Sequence, residues 1–255
     1  MGARVKFQDP LATRPRIPLR ISLLDIQEDR RGEYFEITLR SEAEPQVLDL
    51  QPEDRHLLLL IREEKEKYKF LCGHDERHWF VAAIPEKAPV GTVRQAKEAL
   101  KPHVVRVAQS QKKLANKSRN RRKNAAFIRQ GEWFFLPVSA EPDEEMIILQ
   151  NEPLMRGNGG KAHWAEFCVR TGGEAVLVCN RYRSGLSHIQ YQRLIEKNSN
   201  ARTWNWRAMR RNPEVYVKGR IRHPDHKTIL LPDWHRVVMN TETQSRAMRN
   251  VAFLD

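Results

Sequence analysis

The chain has 255 residues, 40% of them hydrophobic and 30% charged, with 45 Lys and Arg against 32 Asp and Glu for a net charge of +13. That length can bury a sizeable core, no apolar run approaches the ~18 residues of a membrane-spanning helix, and the scattered Cys72, Cys168 and Cys179 exclude a disulfide scaffold. A field of this sign attracts polyanions, nucleic acid foremost, so the position of the charge decides what partner to expect.

Residues 1–20 carry Pro10, Pro15 and Pro18 among basic residues and are expected as an extended tail. The N-terminus lacks an apolar stretch, so no secretory leader is expected, and the few cysteines suit a cytoplasmic setting. Residues 21–100 read as a β-rich N-terminal domain. Residues 34–39 alternate in polarity, and 57–61 form a continuous apolar run suited to a strand buried on both faces. Residues 67–71 and 79–84 flank a hairpin tip carrying Cys72, His74, Asp75, Glu76 and His78. Their spacing matches no zinc pattern, and a solvated tip is the expectation. A short helix is predicted over 92–100, with Thr92 as its N-cap and Pro102 beyond its end.

Residues 101–126 are expected to form a basic linker arm, helical or disordered. Between Glu98 and Glu132 there is no acid, while Lys101, Arg106, Lys112, Lys113, Lys117, Arg119, Arg121, Arg122, Lys123 and Arg129 all lie there. Such a run repels itself unless an anion is near, and Asn116, Ser118, Asn120 and Asn124 lower its helical propensity. It reads either as an arm that orders on a phosphate backbone or as a merely solubilising charge run.

Residues 127–255 read as a C-terminal, mainly β domain. Strands are predicted at 133–138 and 146–149, separated by an acidic turn at 141–145. The glycine-rich turn at 156–160 lacks P-loop spacing. Residues 161–169 alternate so that His163 shares a face with Phe167 and Val169, and 174–179 is the returning strand. A helical insertion is expected over 183–214, opened by the capping-box pair Ser187 and Gln190. Within it Arg202, Arg207, Arg210 and Arg211 interleave with Trp204 and Trp206. Arginine beside exposed aromatics is the composition of a base-stacking surface, although the tryptophans could equally pack the insertion onto its sheet.

Residues 215–231 read as a strand, a turn and a strand. Pro224 and Asp225 suit the central positions of a type I turn, which puts His223 and His226 at its feet. His223 falls in phase with Val215, Val217 and Ile221, and His235 with Val237 and Met239.

The runs Arg129-Gln130-Gly131-Glu132, Gly160-Lys161-Ala162-His163, His223-Pro224-Asp225-His226 and 231–237 resemble, in order, motifs of a group of small uncharacterised prokaryotic β proteins. Those carry Arg-Gln-Gly-Asp, Gly-His-Ala-His and His-Glu-Glu-His; here Lys161 stands where the first histidine of the second motif would be. Segments 160–166 and 232–240 are also similar to the two cupin motifs, a likeness that implies a metal held by histidines inside a barrel. The fold expectation is therefore α+β, with a C-terminal barrel or sandwich.

If that half closes, His163, His223, His226 and His235 could converge on a divalent transition metal such as zinc or iron, with Glu166 and Asp225 as carboxylate partners; the plainer alternative has His223 and His226 capping the turn without metal, Asp225 bonding its own turn and His235 as a core histidine. An open coordination position would make it a Lewis acid or a source of hydroxide. The expected function is association with RNA or single-stranded DNA through Lys112, Lys113, Lys117, Arg119, Arg121, Arg122 and Lys123 and through the Arg/Trp segment. The alternatives are a cupin-like metal-dependent enzyme acting on an anionic substrate, nucleic acid included, and a non-catalytic subunit of a ribonucleoprotein or other protein complex.

Overall fold

The apolar run 57–61 belongs to a strand covered on both sides, and the N-terminal layers follow from that. The computed structural model describes residues 2–8, 22–64, 66–139, 141, 146–155 and 161–250. Residues 142–145 of the expected acidic turn, the expected turn at 156–160 and most of the expected tail lie outside the described residues. Strands β4 (Glu44–Gln51), β5 (His56–Glu63), β6 (Glu66–Asp75) and β7 (His78–Ile84) form an antiparallel meander. One face, with Leu59, Ile61, Phe70 and Val81, packs on Leu24, Phe35 and Ile37 of a three-stranded sheet. That sheet has the order β1 (Val5–Gln8), β3 (Gly32–Thr38), β2 (Leu23–Asp29). Part of the expected tail is therefore a strand, paired in parallel with β3.

The other face of the meander, with Leu58, Leu71 and Ala82, packs on Val93, Ala96 and Leu100 of helix α1 (Val93–Ala99) and its C-cap. The helix starts where its sequence says: Thr92 Oγ1 accepts the Gln95 N–H, and Gln95 bonds back to the Thr92 N–H.

The arm is folded, not a free linker. Helix α2 (His103–Gln111) ends at a C-cap, Lys112, and a four-residue helix α3 (Asn116–Arg119) follows. Val105 of α2 packs with Ala126, Phe127, Phe134 and Leu136, so an apolar stripe holds the arm on the second half of the chain.

That half is built on one six-stranded sheet, in the order β10 (Leu149–Leu154), β11 (His163–Thr171), β15 (Glu214–Arg222), β16 (Ile229–Met239), β9 (Trp133–Pro137), β8 (Ile128–Gln130). Its core, including Phe135, Ala165, Cys168, Val217, Ile221 and Leu231, comes from strands of this one sheet, so the sheet curls over its own apolar face. Among the described residues β8 and β10 do not pair, and the expected barrel does not close. The coarse α+β class holds. Among the described residues no helix is long and apolar enough to cross a membrane.

The insertion differs from its expected helical form. Strands β12 (Glu174–Cys179), β13 (Tyr182–Leu186) and β14 (Arg207–Arg211) make a small sheet in the order β13-β12-β14. Helix α4 (His188–Lys197), opened by the predicted Ser187–Gln190 capping box, is its one α-helix. The basic stretch 207–211 pairs antiparallel with β12, which satisfies its backbone as a helix otherwise would. The chain then returns to its first half: Thr241 bonds to backbone carbonyls of Ala99 and Leu100, and Ser245 bonds to Glu86.

Candidate metal centre and the adjoining cleft

The predicted turn at 223–226 and the start of β11 bring His163, His223 and His226 together, with one ligand-capable nitrogen from each lying within 4.8 Å of the others. Ring centroids are 4.2 Å apart for His163 and His223, 4.7 Å for His223 and His226, and 5.6 Å for His163 and His226. His163 is 1% exposed, and neither of its ring nitrogens has a hydrogen-bond partner; Nδ1 of His226 is likewise buried without one. A buried polar atom left unpaired costs roughly 1–3 kcal/mol, and these three imidazoles could hold a metal ion that takes their lone pairs. Burial, reinforced by the two neighbouring imidazoles, pushes His163 down to about 3. Burial lowers His223 and His226 as well. Neutral imidazoles are what a metal requires.

The surroundings fit a metal in three respects. Gly131, in the turn between β8 and β9 at φ +54°, lies over the cluster: a Cβ there would come within 3.1 Å of His226 Nε2 and 3.5 Å of His163 Nε2. Glu76 Oε2 is 3.6 Å from Nδ1 of His226, too long for a hydrogen bond but close enough to place a negative charge beside that imidazole. For His223, Nε2 lies 3.2 Å from the Lys161 carbonyl and Nδ1 accepts the Asp225 N–H at 3.1 Å. Ligation through Nδ1 keeps the common N–H to carbonyl second bond and gives up only the Asp225 contact. Three imidazoles suit zinc, iron, nickel or copper.

His235 does not join them. It is buried as its phase predicted, but it pairs with Val217, six residues before His223. At ~3.3 Å per residue it is about 20 Å down the sheet, where Nδ1 bonds to the Asp233 carbonyl at 2.7 Å. Glu166 is also elsewhere, accepting the Arg220 N–H at 2.8 Å and its guanidinium at 3.1 Å. That contact sits at facing irregularities in β11 and β15, where Gly219 has φ +86°. The slip carries the inward face from His163 and Ala165 to Cys168, so Phe167 is not its next member. Asp225 stays beside the cluster, with Lys161 Nζ at 3.0 Å from both carboxylate oxygens.

The hairpin tip at 72–78 is solvated only at Glu76 and Arg77, and its acidic side chains reach the second half of the chain. Asp75 is buried and pairs with Arg122 and with Arg129 at 3.3 Å, while Glu76 takes Arg122 at 2.7 Å and the Lys227 N–H at 2.8 Å. Between tip, arm and turn lies a cleft of about 1090 Å³ that reaches His226 and Gly131. Its walls mix both signs of charge, with Lys97, Lys117, Arg121 and Lys161 facing Glu33, Asp54 and Asp225. Nothing in the spacing of 72–78 announced this; the only signal was the density of titratable residues at a tip.

The arm's cations divide into two sets. Lys101 is 3% exposed, with Nζ at 2.6 Å from Glu98 and 2.9 Å from the Arg119 carbonyl. Arg119 lies 3.6 Å from Glu98, and Arg122 is held by Asp75 and Glu76. These are structural. Lys112, Lys113, Lys117, Arg121 and Lys123 are exposed, and among the described residues none is in an ion pair. Lys117 and Arg121 line the cleft itself.

In the insertion Trp204 and Trp206 are half-buried and near-parallel to each other and to Tyr182, with centroids 5.9 to 6.2 Å apart. The Arg181 guanidinium lies 4.3 Å over Trp204. The tryptophans therefore stack on one another and on Tyr182 within their own lobe. Arg202, Arg207 and Arg210 are exposed beside them, while Arg211 ties β14 to Glu174 at 2.6 Å. Burial pushes the Cys72 thiol up to about 12 and Cys168 up to about 11, so neither is a nucleophile. No family model, curated protein or solved structure matches the chain.

Proposed function

We propose that this protein binds single-stranded nucleic acid, RNA or DNA, along the exposed cations of the arm, beside a divalent transition metal held by His163, His223 and His226. The observation that carries this reading is a juxtaposition: a trihistidine cluster with unpartnered buried nitrogens adjoins, through His226, a cleft whose lining includes unpaired Lys117 and Arg121. A polyanion lying on Lys112, Lys113, Lys117, Arg121 and Lys123 releases counterions and presents its phosphates to the metal. Exposed Arg202, Arg207 and Arg210 of the insertion offer further cations to a polyanion. The metal would sit at one end of an open sheet, and of the residues in the two cupin-like segments only His163 would hold it, since Glu166 and His235 lie elsewhere.

Two measurements on the full chain test this. Metal content of the purified protein should approach one equivalent. Affinity for a mixed-sequence RNA or DNA strand should fall steeply with salt, at ~0.7 log units per log unit of salt for each phosphate neutralised. Salt-independent affinity removes the nucleic-acid half of the reading, and less than a tenth of an equivalent after reconstitution removes the metal half.

A further inference from the structure

Glu33 and His78 come from the half of the chain that carries none of the three clustered imidazoles, yet both line the same cleft. Glu33, in β3, has both oxygens fixed: Oε2 accepts the Trp79 N–H at 2.8 Å, and Oε1 is 2.6 Å from Nδ1 of His78. A carboxylate on Nδ1 places the ring proton there and leaves Nε2 as an acceptor. That Nε2 stands 4.0 Å from Oδ1 of Asp225, beyond a direct bond but within reach of a bridging water. Asp225 lies in the turn that supplies His223 and His226 and is itself held by Lys161. The acceptor nitrogen from one half of the chain therefore faces the metal-bearing turn of the other.

We propose that the cleft hydrolyses a phosphodiester of a bound single strand, with His78 as the proton acceptor and Glu33 as its positioning residue. This rests on the reading that strand and metal bind here. A water in the cleft gives a proton to Nε2 of His78 as its oxygen bonds to phosphorus. The P–O ester bond opposite breaks, the leaving oxygen takes a proton from solvent, and His78 releases its proton to solvent. Glu33 and Asp225 flank the imidazolium that forms and stabilise it, and a metal held by His163, His223 and His226 would supply a Lewis acid for the phosphoryl group.

The test uses the full chain loaded in turn with zinc, manganese, iron(II), cobalt(II) and nickel, and end-labelled RNA and DNA strands of one mixed sequence. Cleavage is expected with at least one metal. His78→Gln should lower kcat by roughly 100-fold or more, the usual size of a general-base contribution. Glu33→Gln should do the same: its carbonyl keeps the Trp79 bond while its amide donates to Nδ1, which moves the ring proton onto Nε2. Metal content and strand affinity should be unchanged in both, because neither residue is one of the three imidazoles or one of the arm's exposed cations. If either variant melts early, His78→Gly with added imidazole decides: restored cleavage supports the proposal, and none overturns it. Wild-type protein that holds metal and strand but cleaves with none of the metals overturns it, as do folded variants with wild-type kcat. Failure of metal or strand to bind at all falls instead on the underlying reading.

Discussion

A side chain at Gly131 would start 3.1 Å from Nε2 of His226, in the space where the imidazoles meet. The glycine also has φ +54°, where an L side chain is strained by roughly 1–2 kcal/mol. Gly131→Ala should therefore fold with a somewhat lower Tm and bind metal about 10- to 100-fold more weakly, the range seen when a residue packed against ligands is changed. Calorimetric titration of the apoprotein with zinc checks this; unchanged affinity would place the metal elsewhere.

The division of the arm into structural and solvated cations predicts opposite phenotypes from neighbouring lysines. Lys101→Ala leaves Glu98, Gln109 and the Arg119 carbonyl without their shared partner and should destabilise by about 2–3 kcal/mol. Replacing Lys112, Lys113 and Lys117 together by Ala should leave Tm nearly unchanged and reduce the salt slope of strand binding by up to ~2. Thermal melts and salt titrations on both variants separate the two sets.

His56 predicts a loss of stability on the acid side. Burial, aided by Lys97, holds its folded pKa at about 4 against 6.5 for a free imidazole. Below pH 6.5 the unfolded chain takes the proton first, so stability present above 6.5 is lost progressively as pH falls towards 4. His56→Phe, which keeps the edge contact with Phe80, should flatten the Tm profile of the metal-free protein across that window. A profile unchanged in slope would mean that His56 is not the group responsible.

Local chemistry made much of this structure legible in the sequence. The caps at Thr92 and Ser187, the doubly buried run 57–61 and the turn at 223–226 all follow from side chains acting within a few residues of themselves. Alternation also identified the inward face of His223 and His235. It gives a face but not a height along the strand, and so could not tell that His235 sits far from the cluster. The irregularity at Glu166 and Gly219 has no pattern of its own, because it depends on a contact between residues 54 apart. The closing of the 72–78 tip over the turn at 223–227 is likewise a matter of tertiary pairing, through Asp75, Glu76 and Arg122. Glu33 and His78, 45 residues apart in the chain, meet only in the fold.

The most direct test of the account is cobalt(II) titration of the apoprotein followed by its visible spectrum. The trihistidine reading predicts one equivalent bound with a d–d absorption typical of a low-coordinate nitrogen site. That absorption should be lost in His163→Gln and in His226→Gln and retained in His235→Gln. A spectrum that is absent from the wild type, or that survives both His163→Gln and His226→Gln, would contradict it.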